Sequence, residues 1–207
     1  MDIAKFRKKP LVGIIRGIKN DEIVPVAEAI AEGGLETVEI TMNTENAPEL
    51  IKKMVESARG RFSVGVGTVL TKADLKSALG SGASFIVSPV LVREVIDACV
   101  KDKIPVFPGA FTPQEIYNAW QAGATMIKVF PVKFFGPEYF REIKGPFNKI
   151  DLLACAGVTP DNMKDYFASG ASAVSFGASV FKREWLENKD FKAIEARIRD
   201  YVHKLPR

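Results

Sequence analysis

The stretch "TPQEIYNAWQAGATMIKVF", residues 112–130, contains the pattern that decides the fold. Its first half opens on a threonine, has a glutamate in the first predicted turn and stops at Gly123, as an amphipathic helix does. Its second half, residues 125–130, is a short and mainly apolar run, which is typical of a strand covered on both faces. The stretch therefore predicts a helix that leads directly into a buried strand.

The same unit recurs along the chain. "TKADLKSALGSG" (71–82) and "TPDNMKDYFASG" (159–170) share the threonine, the acidic or amide residue of the first turn and the final glycine. A further helix is predicted over "DEIVPVAEAIAEGG", with Asn20 or Asp21 as its cap. The predicted strands are 11–17, 37–41, 62–67, 84–89, 104–109, 125–130, 150–155 and 172–177.

Eight strands that alternate with helices imply parallel strands joined by right-handed crossovers. We therefore expect an α/β fold in which residues 1–207 form a single (β/α)8 TIM barrel. The rival architecture is an open doubly wound sheet. The barrel is favoured because no GxGxxG motif opens any of the units.

Composition and charge exclude several classes of protein. The chain is 47% hydrophobic and 26% charged with a net charge of +4, which is ordinary for a globular protein. The basic clusters "FRKKP" and "FKREW" are interpreted as solvated faces, and no motif indicates a nucleic-acid partner. No apolar run approaches the ~18 residues of a membrane span, and the first residues do not read as a signal peptide. The two cysteines show neither disulfide nor metal spacing, so we expect a cytoplasmic protein.

His203 is the only histidine, and it lies in a charged segment near the end of the sequence. This argues against Ser-His-Asp and Cys-His mechanisms and against histidine-rich metal sites. Any proton transfer must then depend on carboxylates, lysines, tyrosines or water.

Charged residues occur in the predicted strands where a barrel carries its site, at the carboxyl ends. Arg16 ends the first strand, Glu39 lies in the second and Lys128 in the sixth. An ion pair inside the barrel would explain Lys128 and Glu39 without any ligand. Three such residues with the same polarity nevertheless favour an active site.

Lys128 has the surroundings of a nucleophile, because apolar residues flank it closely. An unperturbed lysine has a pKa of about 10.4, so roughly one molecule in 2,500 is a free amine at neutral pH. We expect desolvation and the cation Arg16 to lower the pKa of Lys128, which would let the amine attack a ketone and form an imine. Glu39 would then carry protons, and Arg16 or Thr68 would hold a substrate carboxylate.

The segments "CAGVTPDN" and "SFGASVF" place small residues at the ends of strands seven and eight. Barrels commonly bind phosphate there with backbone N–H groups. The alternative is that both segments are tight turns, with Thr159 capping the next helix.

From about Pro10 to the last helix the sequence resembles the class I aldolases that act on 2-keto-3-deoxy-6-phosphogluconate (KDPG), 4-hydroxy-2-oxoglutarate (KHG) and related acids. The motifs that carry the resemblance are "GIIRGI", "EGGLETVEIT", "VGVGTV", "GASFIVSPV", "FPGAFTPQEI", "GATMIKVFP", "FGPEYFREIKGPF" and "AGVTPDN". The resemblance implies a reversible retro-aldol reaction through an imine, of the kind used in the Entner-Doudoroff pathway of carbohydrate metabolism. It also implies a homotrimer that needs neither a metal nor another cofactor.

The resemblance assigns roles to individual residues. Lys128 matches the imine-forming lysine and Glu39 the general acid and base. The residues that match the pyruvate pocket are Arg16, Thr68, Pro89 and Phe130. The residues that match the phosphate loops are Gly157, Val158, Gly177 and Ala178, with Ser179 one place beyond the usual serine.

Three departures from the family pattern bear on the substrate. "EITMNT" has Asn43 where the best-known members have an arginine for the substrate carboxylate, and members specific for the galactonate epimer are similar here. "ACAG" places Cys155 where a substrate-contacting threonine is expected. The "GS" after strand eight is Gly177-Ala178. These departures leave open which keto acid is used and whether it is phosphorylated.

Two hypotheses remain beside the aldolase. One is a phosphosugar-binding barrel in which Lys128 and Glu39 form a structural ion pair. The other is an isomerase or synthase that uses the same phosphate loops with a different base.

Overall fold

Parallel strands alternate with helices throughout residues 1–206, which the computed structural model describes. Neighbouring strands pair in the order β5-β4-β3-β2-β1-β9-β8-β7-β6, and every pair is parallel. The strands are β1 (Leu11–Ile15), β2 (Thr37–Thr41), β3 (Ser63–Gly67), β4 (Ile86–Val87), β5 (Val106–Phe107), β6 (Gly109–Ala110), β7 (Ile127–Val129), β8 (Leu152–Cys155) and β9 (Ala173–Phe176). The predicted (β/α)8 barrel is confirmed.

The ninth strand comes from a division of the predicted fifth strand at Pro108. β5 pairs with β4, and β6 pairs with β7, so this one segment closes the ring from both sides. Proline has no N–H group and cannot donate to a sheet. The Pro108 carbonyl still accepts a 2.9 Å hydrogen bond from the N–H of Lys128. The strand is therefore interrupted while the barrel stays closed.

Ten helices surround the barrel in the described part of the chain. They are α1 (Ile3–Phe6), α2 (Ile23–Gly33), α3 (Ala47–Ala58), α4 (Lys72–Gly80), α5 (Arg93–Lys101), α6 (Pro113–Gln121), α7 (Glu138–Lys144), α8 (Met163–Ala168), α9 (Arg183–Glu187) and α10 (Phe191–Lys204), and a 3₁₀ turn spans Val132–Phe134. None of them, within residues 1–206, has the length and apolar character that crossing a membrane requires.

The caps are correctly predicted for two helices. Thr71 and Thr112 each accept a hydrogen bond from the third helical residue, whose carboxylate bonds back to the cap, as in a capping box. The prediction for α2 is wrong, because its N-cap is Glu22, whose carboxylate accepts from the Lys19 N–H at 2.7 Å. The prediction for α8 is also wrong, because its N-cap is Asn162, and Thr159 lies in the preceding turn, where its Oγ1 accepts from the Asn162 N–H.

Two apolar layers hold the barrel together. Most of the core lies between the strands and the helices, and a second cluster fills the barrel interior. In the interior the rings of Phe85 and Phe107 pack at a tilt with centroids 5.6 Å apart, and Phe6 of α1 stacks on Phe107 from the amino-terminal end. A Cβ at Gly65 would lie 2.4 Å from the Phe85 ring, so glycine makes room for this packing. Packed side chains therefore fill the barrel interior below the carboxyl ends of the strands.

Candidate active site

Lys128 lies in the middle of β7 and is only 7% exposed. Its nearest carboxylate belongs to Glu39 of β2, which is 1% exposed, and the distance from Nζ to Oε1 is 3.8 Å. Because β2 and β7 lie far apart in strand order, the two side chains meet inside the barrel rather than along one ladder. The sequence-based prediction that these two residues lie together agrees with this geometry.

Gly67, at the end of β3, makes space for the Glu39 carboxylate. A Cβ at this position would lie 2.6 Å from Oε1 of Glu39, well inside van der Waals contact. Any side chain here would displace the carboxylate from its position beside Lys128. The glycine of "VGVGTV" is therefore part of the site, although it carries no functional group.

Burial and neighbouring charges act in opposite directions on this pair. Burial raises the pKa of the Glu39 carboxyl, and this outweighs the lowering by Lys128 and Arg16. Burial also lowers the pKa of Lys128, but Cys155 and Glu39 raise it, and the net direction is upward despite Arg16. The expected lowering of the Lys128 pKa is therefore wrong for the free protein. The raised pKa makes the Glu39 carboxylate a stronger base than an ordinary carboxylate, and Lys128 must lose a proton before its amine can attack a carbonyl.

Cys155 ends β8 and lies on the inner side of the barrel near Lys128. Lys128 is paired with Leu153, and Cys155 is two residues further along the strand, on the same face. Its thiol is free, and the residue is 2% exposed. A soft, weakly polar group thus stands beside the amine at a position where a hydroxyl would offer a stronger hydrogen bond.

Thr68 follows β3 in a left-handed conformation with φ of 58°. For a β-branched residue this backbone region is strained, at a cost on the order of 1–3 kcal/mol. Such strain is held by the surrounding structure and is concentrated at functional sites. The residue predicted to bind a carboxylate thus also has an unusual backbone conformation.

Pro89 and Phe130 lie at the ends of their strands beside the opening. A Cβ at Gly109 would lie 2.0 Å from the Pro89 carbonyl oxygen, so glycine lets the loop after β4 lie against β6. Phe130 is 38% exposed, and Lys128 Nζ lies 5.7 Å from the centroid of its ring. Phe130 therefore lies beside the amine, and Pro89 lies against the strand that pairs with β7.

Arg16 and Asn43 lie at the exposed rim. Ile14 is paired with Glu39, and Arg16 extends two residues further toward the opening. Asn43 is exposed in the turn after β2. Thr44, which no sequence motif marks, is buried, and its Oγ1 accepts a 3.1 Å hydrogen bond from the Gly17 N–H. Thr44 joins the loops that carry the two rim residues.

The loops after β8 and β9 present backbone N–H groups. No group within residues 1–206 accepts a hydrogen bond from the backbone N–H of Gly157, Val158, Ala178 or Ser179. Gly157 has φ of 126°, a conformation that favours glycine. Unpaired N–H groups on two adjacent loops are the donors that an anion can use.

The side chain of Ser179 does not point freely into solvent. Its Oγ lies 3.1 Å from the hydroxyl of Tyr201 in α10, and that hydroxyl donates a 2.9 Å bond to the Val158 carbonyl. Tyr201 could not be identified from the sequence, because a tyrosine in a terminal amphipathic helix carries no motif.

The arrangement combines a buried amine, an adjacent carboxyl and a separate group of N–H donors. The amine can attack a carbonyl once it transfers its proton, and the carboxyl can accept and return that proton. An anionic group at the far end of a substrate can bind the two loops. No group of three or more histidine, cysteine, aspartate or glutamate side chains is placed to hold a metal ion within residues 1–206.

Comparison with known proteins points to one family. The sequence model of the KDPG and KHG aldolase family matches residues 3–197. The 2-dehydro-3-deoxy-6-phosphogalactonate aldolase of Escherichia coli K12 is 32% identical over 176 residues, which cover 84% of this chain and 86% of that protein. The KHG/KDPG aldolase of the same organism is 32% identical over 199 residues, 96% of this chain and 89% of that protein. A solved structure described as native KDPGal has a TM-score of 0.88 at 28% identity and covers 94% of this chain and 93% of its own.

The raised pKa of Glu39 predicts how stability depends on pH. The native state holds the Glu39 proton more tightly than the unfolded chain, where the pKa is near its ordinary value of 4.5. As pH rises above that value, the native protein loses free energy of unfolding relative to Glu39→Gln, by about 1.4 kcal/mol for each unit of pKa difference. Urea unfolding between about pH 4 and 8 measures the two curves.

Glu56→Gln, which removes one exposed carboxylate from α3, is the control for a change of net charge. As pH rises, the free energy of unfolding of the wild type should fall relative to that of Glu39→Gln. It should show no such fall relative to that of Glu56→Gln. A difference that grows in favour of the wild type as pH rises would contradict the raised pKa.

Proposed function

Since the chain belongs to the family of KDPG and KHG aldolases, we propose that residues 1–207 work as one aldolase domain. This domain reversibly cleaves a 2-keto-3-deoxy sugar acid, with or without a 6-phosphate, or it cleaves 4-hydroxy-2-oxoglutarate. The products are pyruvate and an aldehyde, such as D-glyceraldehyde 3-phosphate or glyoxylate. The enzyme is a carbon–carbon lyase of the class I type, which works through a Schiff base. The observation that carries the proposal is the buried amine of Lys128, 3.8 Å from the Glu39 carboxylate.

Imine formation follows from the charges of the pair. The Glu39 carboxylate takes a proton from the Lys128 ammonium, and the neutral amine adds to the C2 ketone to give a carbinolamine. The protonated Glu39 then donates to the leaving hydroxyl, which departs as water, and a protonated imine remains. The raised pKa of Glu39 makes its carboxylate a stronger base for the uptake of this proton.

Cleavage uses the imine as an electron acceptor. Glu39, directly or through water, removes the proton of the C4 hydroxyl, and the C3–C4 bond breaks as the aldehyde forms. The electron pair of that bond moves into the iminium and gives an enamine, which is then protonated at C3. Hydrolysis of the resulting pyruvate imine releases pyruvate and restores the amine.

We assign the remaining residues by their place around this centre. Arg16, Thr68 and Asn43 would contact the carboxylate of the substrate, while Pro89 and Phe130 would enclose its pyruvate portion. The loops of Gly157, Val158, Gly177, Ala178 and Ser179 would bind a terminal phosphate. What supports this assignment is that all of these residues follow strand ends at one opening of the barrel.

The structural ion pair is the weaker explanation of Lys128 and Glu39. A buried pair offsets its desolvation cost only with short, well-directed hydrogen bonds of roughly 2.7–2.9 Å. The distance of 3.8 Å is longer than this. A gap of this size suits proton exchange with a substrate atom better than a permanent structural bond.

We expect pyruvate and sodium borohydride together to leave a stable adduct on Lys128. Borohydride reduces the C=N bond of the imine, so the pyruvate carbons stay attached to Nζ. Peptide mass spectrometry locates the adduct. Lys128→Ala should form none and should lose turnover, whereas Glu39→Gln should form it more slowly and lose roughly 10²–10⁴-fold in rate.

Lys76→Ala, which removes an exposed lysine of α4, is the matched control and should keep both the adduct and the activity. A folded wild-type protein that yields no adduct with pyruvate would rule out the imine mechanism.

We propose that Cys155 takes part in the choice of sugar acid, because its thiol lies on the face of β8 that borders Lys128. Cys155→Thr places a hydroxyl there, which donates a stronger hydrogen bond. The expected result is a change of about tenfold or more in the ratio of kcat/KM for KDPG and for its galactonate epimer. Steady-state assays with both epimers measure this ratio.

Cys99→Ala is the control, because Cys99 is buried in α5 away from the strand ends. It should leave the ratio of the epimers unchanged even where it lowers stability. An unchanged ratio in Cys155→Thr would remove Cys155 from substrate selection.

We also propose that the chain forms a homotrimer through the aromatic residues beside the barrel opening. Phe134 is 69% exposed and Phe135 is 58% exposed, next to Phe130. Adjacent exposed aromatic rings of this kind mark association surfaces. We expect sedimentation equilibrium to give the mass of three chains for the wild type and a smaller mass for Phe134→Asp.

Val24→Asp, at a residue that is 49% exposed in α2, is the control and should stay trimeric. A wild type that sediments as one chain would end the proposal, and an unchanged trimer in Phe134→Asp would place the interface elsewhere.

A further inference from the structure

We propose that Tyr201 is a positioning residue that sets the distance between the two phosphate-binding loops, which rests on the proposed function. Its hydroxyl is hydrogen-bonded to one residue of each loop, Val158 after β8 and Ser179 after β9. No catalytic group contacts it in the proposed mechanism. Its effect would reach the substrate only through the loops.

Tyr201 is held firmly enough to act as such a bridge. It is fully buried in α10, and its ring stacks on Phe176 at the end of β9, with centroids 3.9 Å apart and planes 24° apart. The guanidinium of Arg197 lies 5.6 Å from the ring centroid on the same helix. The hydroxyl is therefore fixed by packing on both the barrel and the helix.

The direction of the hydrogen bonds can be derived from the number of protons. The Tyr201 hydroxyl has one hydrogen, and the Val158 carbonyl can only accept, so that hydrogen goes to Val158 at 2.9 Å. Ser179 must then donate its own hydroxyl hydrogen to the Tyr201 oxygen at 3.1 Å. While the bridge is intact, the Ser179 hydroxyl has no hydrogen left for a phosphate.

The phosphate contacts then fall to the backbone. The N–H groups of Gly157 and Val158 lie on one loop, and those of Ala178 and Ser179 on the other, with no partner among residues 1–206. A tetrahedral phosphate can accept from both loops only when their separation is correct. The structure thus assigns Ser179 to the support of the loops together with Tyr201, rather than to phosphate contact through its side chain.

Tyr201→Phe tests this assignment because it removes the hydroxyl and keeps the stacked ring. With 2-keto-3-deoxy-6-phosphogluconate, KM should rise about tenfold, since two hydrogen bonds of ordinary strength are lost. With unphosphorylated 2-keto-3-deoxygluconate, KM should stay within about twofold of wild type, and kcat should change little for either substrate. A purely structural role would affect both substrates equally.

Ser179→Ala and the double variant test the direction of the bonds. Each single variant breaks the same bridge, so the double variant should raise KM for the phosphorylated substrate by clearly less than the product of the two single effects. Effects that multiply fully would mean that Ser179 contacts the phosphate independently, which would overturn the assignment. Ser179→Ala also keeps the test available where Tyr201→Phe folds poorly.

Tyr166→Phe is the matched control. It removes the hydroxyl of another buried tyrosine, in α8, that forms no hydrogen bond with either loop within residues 1–206. Both KM values should stay at those of the wild type. A change in the phosphorylated-substrate KM as large as that of Tyr201→Phe would overturn the specific role of Tyr201.

Borohydride trapping with pyruvate separates this inference from the proposed function. A native protein without an adduct on Lys128 contradicts the aldolase itself. A native protein with the adduct, in which Tyr201→Phe leaves the ratio of the two KM values unchanged, overturns only the bridge. The same holds if the wild type shows no preference for the phosphorylated substrate, because the loops would then hold no phosphate.

Discussion

The burial of Lys128 and Glu39 in the same barrel is the constraint on which the site depends. Each side chain alone would be costly to desolvate, and together they remain 3.8 Å apart rather than in a short bond. The barrel makes this arrangement possible because strands from opposite parts of the ring direct side chains into one space. The absence of a side chain at Gly67 leaves room for the carboxylate at that spot. The proposed nucleophile, its proposed proton acceptor and the space beside them thus all follow from barrel closure.

Much of the fold could be predicted because each βα unit repeats the same local signals. Thr71 and Thr112 start helices as their side chains indicate, and β2 has the bounds that its β-branched run predicts. The division of the fifth strand at Pro108 depends on pairing with two different neighbours, which only the closed ring reveals. Local pattern likewise could not show that Glu22, rather than Asn20 or Asp21, caps α2, because the choice depends on the path of the preceding turn.

The site was predictable where a polar residue interrupts an apolar strand. Lys128 and Glu39 are conspicuous in sequence for this reason. The pKa direction of Lys128 was not predictable, since it depends on how close Cys155 and Glu39 come to the amine. Thr44 and Tyr201 were missed because each acts by a hydrogen bond to a distant loop, and such a bond leaves no periodic or motif signal.

The strands differ in length around the ring. β1, β2 and β3 each have five residues, whereas β4, β5 and β6 have two each and β7 has three. Fewer cross-strand bonds mean that local opening costs less free energy, so amide hydrogen exchange should be concentrated in the half from β4 to β7. Glu39 lies on β2, in the part of the ring with longer strands, and Lys128 lies on β7, in the part with shorter strands. We therefore expect the proposed nucleophile to lie in the part of the ring that opens more readily and the proposed proton carrier in the part that opens less readily.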